Sequence, residues 1–130
     1  KHAHHGFDLD RPGKDSYRHR EAGATEVFLV SHQRWVLMHE LREQPEPTLE
    51  EQLARMSPCD LVLVEGFKYT AIPKIEVHRS ANGKPLIYPD NPNVVAVATD
   101  VRLTTHLPLF GLDDIETIAA FILRHTALRD

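Results

Sequence analysis

Within the first ten residues, His2, His4, His5, Asp8 and Asp10 place imidazole and carboxylate donors close together along the chain. Such a set can collect a divalent ion. A His-x-His at the end of a strand is one way a metal-dependent hydrolase begins its site; a polar loop whose histidines meet backbone or solvent is the plainer use of the same residues. Beside a nucleotide the aspartates serve differently. Mg²⁺ takes oxygen ligands together with phosphate and keeps waters, so Asp8 or Asp10 could hold it directly or through water.

Two more acids stand at the ends of apolar runs. Asp60-Leu61-Val62-Leu63-Val64 stops at Glu65-Gly66, and Val94-Val95-Ala96-Val97-Ala98 stops at Thr99-Asp100. In open α/β sheets ligands bind beyond the carboxyl ends of the strands, which puts Glu65 where a phosphate-bound metal or a water needs an acid. Gly66 lets the backbone turn sharply there. Asp100 could accept two hydrogen bonds from the N1–H and exocyclic amine of guanine, donors that adenine does not offer in that arrangement; a turn-forming Asp is the simpler alternative. Gly13-Lys14-Asp15-Ser16 is not a phosphate-binding loop, because Asp15 interrupts the motif and no apolar strand precedes it.

The elements that must position these residues follow from pattern. Both apolar runs read as strands buried on two faces, as in a parallel sheet covered by helices. Asp15 or Ser16 can cap a short helix through Ala22, ended by Gly23. Thr25 to Ser31 and Trp35 to Leu41 form a hairpin, on which Phe28, Trp35 and Met38 point to burial against another subunit. Thr48 with Glu51 is a capping box for a helix whose apolar face is Leu49, Leu53 and Met56. Lys74 to Arg79 alternates Ile75 and Val77 against Lys74, Glu76 and His78, a half-exposed strand near an edge. Asn82-Gly83 marks a tight turn. Asp113 with Glu116 has capping-box spacing and opens a terminal helix with Ile115, Ile118, Ala119, Ile122 and Leu123 on one face.

With 130 residues, 42% of them apolar, the chain is expected to form one α/β domain over 1–130. A net charge of -4 gives no basic footprint for nucleic acid. No apolar run approaches a membrane span, and Cys59 alone builds neither a disulfide nor a multi-thiolate site, so a cytoplasmic protein is expected.

The opening KHAHHGFDLDRPGKDSYRHREAGATEV, the run LVLVEGFK and the later VVAVATD together resemble the molybdopterin-guanine dinucleotide biosynthesis protein B family, the MobB-type GTP-binding proteins, across nearly the whole chain. The resemblance implies a P-loop NTPase-like α/β fold with a mostly parallel sheet flanked by helices. It also implies GTP as ligand, Mg²⁺, weak GTP hydrolysis, a homodimer and a supporting role to the guanylyltransferase that joins GMP to molybdopterin. By it, Glu65-Gly66 looks like the Walker-B position, with Glu65 as catalytic and metal-binding acid. Asp8 and Asp10 fall near metal and phosphate, and Thr99-Asp100 lies where guanine would be read. The family's first strand, Walker-A loop and first helix have no counterpart in this sequence, which opens at Lys1 without an initiator Met. The chain is therefore expected to be incomplete, or completed by another polypeptide, and to bind GTP poorly as it stands. Two other classes remain at this point: a non-catalytic module that docks a partner or second copy through the 25–41 hairpin, and a His/Asp metal-dependent hydrolase.

Overall fold

A computed structural model describes residues 1–3 and 6–128, in two compact units, Lys1–Gly66 and Phe67–Asp130. His4 and His5, part of the opening donor set, lie outside the described residues.

The first unit holds α1 (Asp15–Glu21), β1 (Glu26–Val30), β2 (Trp35–His39) and α2 (Leu49–Ala54). The helix α1 begins at the expected place without the expected cap. Lys14 is its N-cap and makes no side-chain cap bond, since an ammonium has no acceptor; Ser16, inside the first turn, donates its hydroxyl to Asp10. Its exit is as anticipated, with Gly23 at φ 106. Strands β1 and β2 pair antiparallel from Glu26↔His39 to Val30↔Trp35, closed by Ser31 N–H donating to Arg34 C=O at 2.8 Å. The α2 capping box is complete: Glu51 N–H donates to the Thr48 hydroxyl and Thr48 N–H to the Glu51 carboxylate. The helix is short, however, and Leu53 and Met56 stay exposed, so its apolar face buries little.

The run Leu61–Glu65 is not the buried strand its composition suggests. Among the described residues it belongs to no sheet, and Leu63 is 75% exposed. Branched apolar side chains favour an extended chain, but a strand also needs neighbours for its N–H and C=O groups. In this unit the nearest is Lys1-His2, where His2 N–H donates to Glu65 C=O at 2.8 Å.

The second unit holds β3 (Lys74–His78), 3-10 turns at Ser80–Asn82 and Tyr88–Asp90, β4 (Val94–Thr99), β5 (Leu109–Phe110) and α3 (Ile115–His125). The sheet order is β3-β4-β5, with both pairings parallel. The middle strand β4 is the core: Val94, Ala96, Val97 and Ala98 are buried, and burial of consecutive residues means both faces are covered. The helix α3 meets β5 through Phe121 and Phe110, ring centroids 5.4 Å apart. Its N-cap is Asp114, again without a side-chain bond, so the Asp113 capping box does not form. No helix among the described residues is long and apolar enough to cross a membrane.

Edge strand β3 reverses the expected alternation. Glu76 is 7% exposed and Val77 73%. Both Glu76 carboxylate oxygens accept backbone N–H bonds, from Ile87 at 2.8 Å and Tyr88 at 2.9 Å, so the acid is satisfied inside, while a register shift between Lys74 and Ile75 sets which side chains face in. Glu76→Gln would turn an amide N–H₂ toward one of those donors and is expected to cost about 1–3 kcal/mol. Urea denaturation of the two proteins measures this, and an unchanged midpoint would mean the two amides have another acceptor.

Candidate functional site

In the first unit, the acidic loop is organised by a residue that sequence reasoning missed. The Arg20 guanidinium, projecting from α1 and 16% exposed, donates from NH2 to both Asp8 oxygens at 3.0 Å, from Nε to Asp10 Oδ2 at 3.3 Å and from NH1 to Glu40 Oε1 at 3.1 Å. Asp10 is the best-packed of the three acids, its side chain 4% exposed. Its Oδ1 also accepts from the Ser16 hydroxyl at 2.7 Å and from Arg11 N–H at 2.9 Å. Asp8 Oδ1 accepts from Asp10 N–H at 2.9 Å. Asp8 and Asp10 are thus brought together on one guanidinium.

These contacts set the charge states. Asp8 is held below the usual carboxylate range by the Asp10 amide and then by Arg20. Partial burial pushes Asp10 up, but the Ser16 hydroxyl, the Arg11 amide and Arg20 together outweigh it and the net direction is down. Arg20 is raised, first by Glu40 and then by Asp8.

Glu65 and Gly66 sit together at the end of this unit. The Glu65 carboxylate is exposed and takes an ion pair from Lys1 Nζ at 2.9 Å. Gly66 is required on two counts: its φ is 87°, and a Cβ there would fall 2.9 Å from His2 Cβ. Its structural task is to let the opening segment cross close by. His2 in turn pairs with Glu46 at 3.0 Å.

In the second unit, Thr99 and Asp100 end β4. Asp100 accepts from Ser80 N–H at 2.8 Å on Oδ1 and from the Ser80 hydroxyl at 3.0 Å on Oδ2, which lowers its pKa through the Ser80 amide first. The buried Thr99 hydroxyl accepts from Val101 N–H at 3.3 Å and meets His78 Nδ1 at 3.2 Å; His78 Nε2 meets the Lys84 carbonyl at 3.3 Å. Ser80 and His78 had no signal in the sequence, since their partners are about twenty residues away and only the β3-β4 pairing brings them near.

The donors suit a hard oxygen-seeking ion in kind, being carboxylates. Asp8 and Glu65 keep exposed oxygens, whereas Asp10 has every contact committed within the protein. Among the described residues no group of three His, Cys, Asp or Glu is gathered closely enough to hold a metal alone, so any Mg²⁺ here would draw most of its ligands from phosphate and water.

A parallel three-stranded sheet with a helix against it and Asp100 just past the end of β4 is an α/β arrangement of the kind found in the P-loop NTPase-like class. The family model described as molybdopterin guanine dinucleotide synthesis protein B matches residues 1–100, and the chain belongs to that family. Among its relatives, a molybdopterin-guanine dinucleotide biosynthesis adapter protein of Escherichia coli (strain K12) is 43% identical over 126 residues, covering 95% of this chain and 72% of the relative. A protein of the same description from Haemophilus influenzae is 43% identical over 125 residues, covering 94% and 68%.

The stability drawn from Asp8 and Asp10 follows from their direction of shift. Folded values below the unfolded value of 3.8 mean the contribution is full above 3.8 and lost as pH falls through the folded values. Carboxylate NMR titration should therefore place both midpoints below 3.8, and Arg20→Gln should move them upward. A wild-type midpoint at or above 3.8 would contradict the clamp.

Proposed function

We propose that this chain acts in molybdenum cofactor biosynthesis as a GTP-binding adapter that supports attachment of the guanine nucleotide to molybdopterin by a partner guanylyltransferase in the cytoplasm. The observation that carries the reading is 43% identity, along 95% of the chain, to a relative named as an adapter protein of that synthesis. The acids are assigned accordingly, within a single nucleotide-binding domain over 1–130. Glu65 and Asp8, which keep exposed oxygens, would hold Mg²⁺ directly or through water; Asp10, its side chain 4% exposed, would serve that ion only by keeping Arg20, and through it Asp8, in place. Bound magnesium would neutralise phosphate charge. Gly66, at φ 87, turns the backbone beside the nucleotide with His2 packed against it, and Asp100 reads the base with Thr99 supporting it from the end of β4.

Any hydrolysis is slow and subsidiary to binding. Glu65 accepts a hydrogen bond from the attacking water; the water oxygen bonds to the γ-phosphorus as the bond to the GDP oxygen breaks, and the water's proton passes to the phosphate products. Lys1 orients that carboxylate through its 2.9 Å ion pair. In the full-length protein Glu65→Gln, which keeps the shape but loses the charge, should lower turnover about 10- to 100-fold with GTP affinity little changed. Single-turnover hydrolysis and calorimetric titration give the two numbers, and undiminished turnover would remove Glu65 from this role.

The same proposal includes a homodimer through the 25–41 hairpin. One face of that hairpin carries Phe28, Val30, Trp35 and Leu37, all exposed, with the Phe28 and Trp35 rings stacked at 5.3 Å. A second copy of this chain would cover a face of this kind with the same face, as two-fold symmetry requires. Trp35→Asp should convert a dimer into a monomer in sedimentation equilibrium; a wild-type protein already monomeric at micromolar concentration would argue against it.

A further inference from the structure

We infer that Ser80 occupies the edge of Asp100 that guanine would use, so that base recognition here proceeds by exchange of Ser80 for the nucleobase. The inference rests on the assignment of Asp100 as the base-reading acid and adds the residue that sets its selectivity.

Ser80 presents two donors from one small residue, its amide N–H to Oδ1 at 2.8 Å and its hydroxyl to Oδ2 at 3.0 Å. Two donors so close together, one to each oxygen, reach the carboxylate across its outer edge as a fork. Guanine offers the same fork through N1–H and its exocyclic amine, and adenine does not, since its N1 is an acceptor. Ser80 and guanine therefore compete for one set of lone pairs, while adenine has no claim on them. The exchange weighs a protein fork against a nucleobase fork of like geometry, so the part of guanine affinity that comes from Asp100 is the difference between them.

The turn keeps bonds that do not involve Asp100, with Asn82 N–H donating to Arg79 C=O and Gly83 N–H to Ser80 C=O, both at 3.0 Å. Ser80 opens the short 3-10 turn Ser80–Asn82, which ends at Gly83 with φ 60. The far side of this turn has its own tether, His78 Nε2 against the Lys84 carbonyl at 3.3 Å, with His78 Nδ1 on the Thr99 hydroxyl at 3.2 Å. Thr99 thus acts on the arrangement through His78, whereas Asp100 meets Ser80 directly. Asp100 and Ser80 are both exposed, so a base can reach the pair.

The test uses the full-length protein and competition binding of GTP, ATP and xanthosine triphosphate. Ser80→Ala removes one of the two competing donors, and GTP affinity should rise roughly five- to tenfold with ATP affinity unchanged, as expected for one hydrogen bond to a charged acceptor. Ser80→Thr keeps the hydroxyl and should restore the wild-type ratio. A general loosening of the turn would move GTP and ATP together, or weaken both. Asp100→Asn tests the parent assignment separately, by a shift of preference from GTP toward xanthosine triphosphate. If that shift occurs while Ser80→Ala leaves the GTP-to-ATP ratio unchanged or lowered, competition by Ser80 is overturned. If Asp100→Asn causes no shift, Asp100 does not read the base and the inference falls with it.

Discussion

One guanidinium determines the arrangement of the opening loop. Residues 1–14 form no helix or sheet among the described residues, and Asp8, Asp10 and Glu40 would repel one another if nothing stood between them. Arg20 answers this with a planar fork that makes four hydrogen bonds to the three acids, and its own charge persists because arginine does not lose its proton. An isolated surface ion pair contributes little. Here three acids share one partly buried cation, and the network joins the loop, α1 and the end of β2. The oxygens of Asp8 and Asp10 are set in place by the protein's own charge balance.

The second unit depends on a different force. Strand β4 is small and branched residues throughout, buried on both faces, and its edges are satisfied by β3 on one side and β5 on the other. Burial of that kind normally excludes charge, yet Glu76 lies inside on the adjoining strand. Two amide donors from 87–88 resolve the conflict, since a carboxylate with two N–H partners carries its desolvation far better than an unpartnered one. The consequence is local order: the acid fixes an irregular segment containing three prolines to the sheet.

What the sequence disclosed, and what it withheld, divides along the range of the interactions. Hairpin, capping box, β4 and the Gly83 turn were legible because each rests on neighbours in the chain or on unbroken apolar composition. The Leu61–Glu65 run was misread as a buried strand for the same reason: composition describes what a segment tolerates, not whether a partner is present to pair with it. The alternation in β3 misled because Val77 is apolar and Glu76 charged, and the two amides that reverse their places are eleven and twelve residues further on. Of the candidate site, the sequence offered the acids as residue types at chain positions only. Arg20, Ser80 and His78, which decide how those acids are used, were not, since their roles arise from geometry across α1 and across the β3-β4 pair.

The turn after Glu65 shows how tightly backbone and chemistry are linked. Gly66 at φ 87 is followed by Phe67 at φ 49, and a non-glycine residue in that region is held there at a cost of roughly 1–2 kcal/mol. The opening segment supplies a restraint on that turn, because His2 lies close against Gly66 and its amide takes the Glu65 carbonyl. The Glu65 main chain is thereby fixed while its side chain stays at the surface with Lys1. An acid so placed can present oxygen to a ligand with little main-chain rearrangement, which is the property that a metal-binding or water-orienting carboxylate needs.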